Sequence, residues 1–195
     1  MRILIVYGTG EGQTRKIAET LGGQIRRADH HVEVHRGDQL PEGLSPAACD
    51  GVLVGASLHA GHHQAYIRRF IRRHLSDLRA VPSAFYSVSG SAASSDPAAQ
   101  AQIRELVEVF LAEEGWQPDR WATFAGAIPY TRYGSLKRWV MRRIIARAGG
   151  PTDTSRDWEL TDWEEVARFG AGFLELVEGK VPSTVRRPVG QELLS

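Results

Sequence analysis

The sequence predicts an α/β fold in which a doubly wound, five-stranded parallel sheet carries helices on both faces. Short apolar runs alternate with amphipathic helical patterns, and this alternation is typical of parallel strands joined by helical crossovers. The chain has 195 residues, 42% hydrophobic and 24% charged, so a single domain with one buried core is expected. A long basic insertion interrupts the pattern before the last helix.

Each element is predicted from its own pattern. The strands are short apolar runs bounded by turn residues, at 2–7, 31–36, 51–56, 82–88 and 120–126. Apolar residues at helical spacing predict helices over 13–27, 65–78 and 100–114. Thr161-Asp-Trp-Glu164 is a capping box that opens the last helix. We therefore expect one domain over 1–178, with the insertion at 127–156 and a flexible tail at 179–195.

The turn after the first strand predicts an anion site. It reads Thr9-Gly-Glu-Gly-Gln-Thr14, and helical periodicity begins at Gln13, so backbone N–H groups and the positive end of a helix dipole meet there. The turn lacks the Gly-Lys-Ser/Thr ending of a nucleoside-triphosphatase loop and the spaced glycines of the dinucleotide fingerprint. A monophosphate held by neutral donors remains, which suits FMN. The plainer alternative is a strand-to-helix turn whose glycines serve geometry alone.

Two further loops leave the same edge of the predicted sheet, one beginning at Ser57 and one at Ser87. Their small residues permit close backbone approach to a flat ring, so we expect them to flank a flavin. His59, His62 and His63 form the one tempting acid/base cluster, and exposed loop residues are the plainer interpretation, with His59 the exception to consider. Their spacing does not favour a metal site.

Four stretches carry a resemblance to a known family: the turn at 9–15, the run 55–62, the stretch 82–88, and 149–154 together with Thr161-Asp-Trp163. They resemble the flavodoxin-fold protoporphyrinogen oxidases, the quinone-dependent bacterial enzymes of haem biosynthesis. The resemblance covers about residues 1–177. It implies a flavodoxin-like sheet, non-covalent FMN, and electron transfer from protoporphyrinogen IX to a membrane quinone.

The resemblance also implies which residues contact the flavin. The phosphate would be held by Thr9, Gly10, Glu11, Gly12, Gln13 and Thr14. The ring would be flanked by Ser57, Leu58, His59, Ala60 and Gly61 and by Ser87, Val88, Ser89 and Gly90. Glu11 is expected to serve through its backbone N–H while its carboxylate points to solvent. The hydride acceptor is N5 of the flavin, so no catalytic side chain is assigned.

The insertion at 127–156 separates this chain from a minimal flavodoxin. Its basic and aromatic residues include Arg132, Lys137, Arg138, Trp139, Arg142, Arg143 and Arg147. They suit an amphipathic helix on an anionic membrane, a basic platform for porphyrin propionates, or a partner-docking helix. A surface helix with packing value alone is the fourth reading.

Other function classes follow from the same features. A flavodoxin-like electron carrier, or an FMN quinone reductase with another donor, would use the same loops without porphyrinogen turnover. We expect no nucleic-acid partner, because Trp139 with scattered arginines is thin evidence for base stacking and leaves the predicted anion site unexplained. The sequence shows neither a signal peptide nor a membrane-spanning run, so we expect a cytoplasmic protein, peripheral on the inner face of the cell membrane. The sequence does not determine the oligomeric state, and a homo-oligomer is one possibility.

Overall fold

A computed structural model describes residues 1–147 and 150–179, apart from the side chains of Ile144 and Arg147. Apart from Gly179, the tail predicted at 179–195 lies outside the described residues. In the described part, the strands fall within one residue of their predicted ends.

Five parallel strands form the main sheet, in the order β2-β1-β3-β4-β5. They are β1 (Arg2–Gly8), β2 (His31–Arg36), β3 (Gly51–Ser57), β4 (Ser83–Ser89) and β5 (Arg120–Ala125). The order reverses between β1 and β3, so the loops that follow these strands diverge and leave a crevice at the carboxyl edge of the sheet. This confirms the predicted doubly wound fold.

Six helices lie in the described residues. They are α1 (Gln13–Arg27), α2 (Ala65–Arg73), α3 (Leu75–Ala80), α4 (Pro97–Glu113), α5 (Ser135–Arg147) and α6 (Trp163–Val177). One face of the sheet packs on α1 and α6 through residues such as Ile17 and Phe169. The other face packs on α2, α3 and α4 through residues such as Ile67, Leu78 and Phe110.

Two helix predictions need correction. The helix predicted over 65–78 is two helices, because His74 leaves helical geometry at φ −114°, ψ 23° and its side chain contacts Asp77 at 3.4 Å. The helix predicted from residue 100 begins at Pro97, because the carboxylate of Asp96 accepts a hydrogen bond from the N–H of Ala98 and caps the first turn. Proline at the first helical position needs no hydrogen-bond acceptor for its nitrogen.

The insertion folds around a small apolar core of its own. A two-stranded antiparallel ribbon, β6 (Ala127–Ile128) with β7 (Trp158–Glu159), closes it at the base. Ile128, Tyr130 and Tyr133 are buried there against one side of α5. Arg138 fixes the start of α5 by donating to the carbonyls of Tyr130 and Tyr133 at 3.0 and 2.9 Å. The insertion is therefore a defined structural unit beside the carboxyl edge of the sheet.

Candidate functional site

The turn after β1 delivers the open end of α1 to the crevice. Gly12 precedes the helix at φ +103°, a conformation that favours glycine, and no side chain caps the first turn. The first N–H groups of a helix have no intrahelical acceptor, so those of α1 face outward with the positive end of the dipole. The hydroxyl of Thr9 accepts from the N–H of Gly12 at 2.9 Å and stiffens the turn.

Thr14 carries the clearest sign of an anion at this helix end. Its side chain is 1% exposed, and its hydroxyl oxygen has no hydrogen-bond partner among the described residues. A buried, unpaired hydroxyl costs about 1–3 kcal/mol, and such a group is expected where a ligand supplies the partner. The residues present therefore fit a phosphate group at this position.

Two side chains that the sequence analysis missed hold the turn from α2 and the segment before it. The phenol oxygen of Tyr66 accepts from the N–H of Thr9 at 3.1 Å. Gln64 bonds both the N–H and the hydroxyl of Ser57, and that hydroxyl accepts from the N–H of Gly10 at 3.3 Å. Ser57 therefore links the first loop to the second, and the N–H groups of Gly10 and Gly12 are already bonded within the protein.

The carboxylate of Glu11 does not point to solvent as expected. It accepts a hydrogen bond from the phenol of Tyr133 at 2.9 Å and pairs with the ammonium of Lys137 at 3.0 Å. Gln13 also turns to the base of the insertion, where its amide donates to Glu159 and Thr161 at 3.0 and 2.8 Å. The side chains of these two residues are therefore bonded within the protein, and only their backbone N–H groups are left for the predicted phosphate contact.

The loop after β3 is a tight hairpin. His59 and His62 exchange two backbone hydrogen bonds, of 3.0 and 2.9 Å, across Ala60 and Gly61. Both turn residues have positive φ, 49° for Ala60 and 79° for Gly61. The ring of His59 lies directly beside the first loop, since a Cβ added to Gly10 would stand 3.0 Å from its Nε2. The predicted phosphate and ring loops are therefore neighbours.

The loop after β4 lies against the hairpin. The N–H of Leu58 donates to the carbonyl of Val88 at 2.8 Å, and the hydroxyl of Ser89 accepts from the N–H of Ala92 at 3.1 Å. Gly90 is exposed and has open space around its Cα. The side chain of Ser87 turns into the core, where it is 1% exposed and its hydroxyl contacts His63.

His63 is buried, which corrects its reading as an exposed loop residue. Its Nε2 lies 3.0 Å from the hydroxyl of Ser87, and its ring contacts Phe85 and Phe110 at centroid distances of 5.5 and 4.2 Å. Burial lowers the pKa of His63 to about 3, with a smaller contribution from the positive charge of Arg68. His63 is therefore a neutral hydrogen-bonding residue at physiological pH.

The basic residues of the insertion divide between two sides of α5. Lys137 and Arg138 reach back toward the rest of the protein and make the contacts given above, although the side chain of Lys137 is 57% exposed. On the outer side, Leu136, Trp139 and Val140 are 75%, 55% and 39% exposed, and the guanidinium of Arg143 lies 5.1 Å from the ring centre of Trp139. Arg132 and Arg142 are also exposed, whereas the side chain of Arg147 is not among those that the structure describes.

Residues 1–147 and 150–179 contain no group of three or more His, Cys, Asp or Glu side chains arranged to hold a metal ion. Within the same ranges, no helix is long and apolar enough to cross a membrane.

Comparison with known proteins decides the family. Residues 4–155 match the flavodoxin domain family. Protoporphyrinogen IX dehydrogenase [quinone] of Escherichia coli K12 is 34% identical over 178 residues, covering 91% of this chain and 97% of the relative. The enzyme of the same name from Leishmania major is 33% identical over 195 residues, covering 97% and 83%. The chain belongs to the protoporphyrinogen IX dehydrogenase [quinone] family. The family resemblance is confirmed, and flavodoxin domain membership points to a flavin cofactor.

Solved flavodoxins share the fold of this dehydrogenase family member. Oxidised flavodoxin 1 of Bacillus cereus superimposes with a TM-score of 0.51 at 17% identity, covering 90% of this chain and 98% of the flavodoxin. Streptococcus pneumoniae TIGR4 flavodoxin gives a TM-score of 0.52 at 14% identity, covering 93% and 100%. These structures confirm the predicted flavodoxin-like arrangement of the sheet and helices.

Proposed function

We propose that this protein is an FMN-dependent oxidoreductase that oxidises protoporphyrinogen IX to protoporphyrin IX and passes the electrons to a membrane quinone. The observation that carries the proposal is the near-full-length similarity to enzymes named for this reaction. The buried, unpartnered hydroxyl of Thr14 supports the cofactor assignment, because it meets the open end of α1 where a phosphate monoester would sit.

The three loops divide the work of holding FMN. The hydroxyl of Thr14 and the first N–H groups of α1 would bind the phosphate, while Thr9 keeps the turn rigid. The hairpin at 57–61 and the loop at 87–90 would flank the ring, and the bond between Leu58 and Val88 keeps them in register. Bound FMN supplies the hydride acceptor for the reaction. The protein's own side chains then orient the cofactor and exchange protons.

His59 is the residue we assign to proton exchange. Its ring is exposed beside the first loop, whereas His63 is buried and has a pKa of about 3. His59→Gln should change the pH dependence of kcat, an effect that any accompanying loss of affinity for FMN would not produce. His62→Gln is the matched control, because His62 is exposed across the same hairpin and it is the ring of His59 that lies against Gly10. An unchanged pH profile in His59→Gln would contradict this assignment.

The outer side of α5 is proposed to rest on an anionic membrane surface. Leu136, Trp139 and Val140 are adjacent, exposed and apolar, and Arg143 adds positive charge beside them. Tryptophan with neighbouring arginine is favoured at the boundary between lipid headgroups and acyl chains. The inward contacts of Lys137 and Arg138 fix which side of α5 faces outward. Such an orientation would bring the crevice toward a quinone in the bilayer.

Vesicle sedimentation tests the membrane contact. Leu136→Ser with Trp139→Ser should lose most binding to phosphatidylglycerol vesicles, and Arg142, Arg143 and Arg147 replaced by Gln should weaken it and remove its salt dependence. Val109→Ser is the control, because Val109 is an apolar residue of α4 that is 49% exposed. Equal sedimentation of all variants and the native protein would contradict this assignment. If the same arginines instead bind porphyrin propionates, their replacement by Gln should raise the KM for protoporphyrinogen IX and leave sedimentation unchanged.

Steady-state turnover tests the enzyme activity. The FMN-loaded protein, kept anaerobic with protoporphyrinogen IX and menadione, should produce porphyrin fluorescence at a rate that depends on both cofactor and quinone. The cofactor-free protein is the control. Bound FMN without porphyrin formation would contradict the proposed reaction and favour a flavodoxin-like electron carrier.

A further inference from the structure

Glu11 places a negative charge inside the turn that is proposed to bind a phosphate. It lies between Gly10 and Gly12, next to the open end of α1. A helix N-terminus attracts carboxylates as well as phosphates. A free carboxylate on this turn could therefore occupy the helix end itself, or repel an incoming phosphate.

The structure pairs both oxygens of this carboxylate with the insertion. The phenol of Tyr133 donates to Oε2 at 2.9 Å, and the ammonium of Lys137 lies 3.0 Å from Oε1. The ammonium of Lys137 also lies 4.1 Å from the ring centre of Tyr133, so the two donors are joined by a cation–π contact. Burial and the neighbouring Glu11 raise the pKa of the Tyr133 phenol, which keeps it protonated and able to donate.

We propose that Tyr133 and Lys137 are positioning residues for the cofactor phosphate, which they serve by holding the carboxylate of Glu11 away from the end of α1. The inference rests on the proposed FMN site. Lys137 also offsets the charge of Glu11, so the insertion completes the anion site electrostatically without touching the anion. Loss of both donors releases a carboxylate that competes with the phosphate from within the same loop.

A second tie keeps the insertion in place when the first is removed. Glu159 accepts from Gln13 at 3.0 Å and pairs with Lys16 at 2.7 Å, and neither contact involves Glu11. The inner core includes the ring of Tyr133, which packs beside Ile128 and Tyr130, and this packing does not use the phenol hydroxyl. The variant Tyr133→Phe with Lys137→Met therefore removes the donors and retains the apolar packing of the phenyl ring.

FMN titration of four proteins tests the inference through binding alone. The dissociation constant is measured at low salt, from quenching of FMN fluorescence, for the native protein, Tyr133→Phe/Lys137→Met, Glu11→Gln, and the triple variant. The double variant should bind FMN roughly tenfold more weakly, because it leaves an unpaired negative charge on the loop that holds the phosphate. Glu11→Gln should bind as tightly as the native protein or more so. The triple variant, which lacks both the carboxylate and the ammonium, should recover the affinity of the native protein.

Two controls distinguish an electrostatic effect on the phosphate from a structural disturbance of the binding site. Arg142→Gln/Arg143→Gln removes positive charge from α5 and makes no contact with Glu11, so its affinity for FMN should be unchanged. Riboflavin lacks the phosphate, so its affinity should be the same for the native protein and the double variant. Added salt should reduce the difference in FMN affinity between the native protein and the double variant.

The possible failures are distinguishable. A double variant with native affinity for FMN would overturn the inference and leave the proposed function standing. A triple variant as weak as the double variant would also overturn it, because the insertion would then act on the loop independently of Glu11. A native protein that binds no FMN at all would overturn the proposed function together with this inference.

Discussion

Replacement of Thr14 with Val should move stability and cofactor affinity in opposite directions. The side chain is 1% exposed and its hydroxyl is unpaired, so the isosteric methyl group removes a buried polar atom that costs about 1–3 kcal/mol in the cofactor-free protein. With FMN bound, the same change deletes a hydrogen bond to a charged group, worth about 1.5–3 kcal/mol. The expected loss of affinity is roughly 10- to 150-fold.

Thermal unfolding with and without FMN measures both effects. The Tm of cofactor-free Thr14→Val should rise by roughly 2–4 °C for each kcal/mol gained, and the increase in Tm on adding FMN should shrink. Thr14→Ser keeps the hydroxyl and should retain most of the affinity. Thr20→Val is the control within α1, because the Thr20 hydroxyl donates to the carbonyl of Lys16 at 2.9 Å on the exposed side. Native FMN affinity in Thr14→Val, or a lower Tm without FMN, would refute the placement of the phosphate.

Two further predictions concern the core around the site. Gly55→Ala should lower the free energy of unfolding by about 1–3 kcal/mol, because an added methyl group would overlap the ring of Tyr86, whereas Gly90→Ala has open space and should be neutral in the same denaturant titration. Below pH 6.5 the unfolded chain protonates His63 and the folded protein excludes that proton down to about pH 3, so stability should fall by about 1.4 kcal/mol per pH unit across this window. His63→Gln should flatten that pH dependence, and an unchanged slope would show that other groups cause it.

Local patterns were sufficient to predict most of the fold. The runs that became β1 and β3 are buried on both faces, so their largely continuous apolar character marks them in the sequence. The break in the helix at His74 was not predicted, because apolar residues at helical spacing continue past it to Leu75 and Leu78. The start of α4 at Pro97 was not predicted. Ser94, Ser95 and Asp96 have the composition of a loop, and Asp96 acts as a cap only when the helix has formed.

The candidate site was predictable where its signals are local. Glycines in the first turn and the periodicity after Gln13 together predict an anion-binding helix end, and the unpaired hydroxyl of Thr14 fits that prediction. The partners of Glu11 were not predictable, because Tyr133 and Lys137 are distant in sequence and reach the turn only when the insertion folds back. His63 could not be separated from its exposed neighbours, because the direction of each ring depends on the turn at 60–61.

The first half of the reaction, taken without quinone, tests the central claim most directly. The FMN-loaded protein is mixed anaerobically with protoporphyrinogen IX in a stopped-flow instrument, and the absorbance of the bound cofactor is followed together with porphyrin fluorescence. The account predicts that the absorbance of oxidised FMN is lost as porphyrin forms, and that it returns when menadione is added. Cofactor that stays oxidised in the presence of protoporphyrinogen IX would contradict the account, whatever its affinity for the protein.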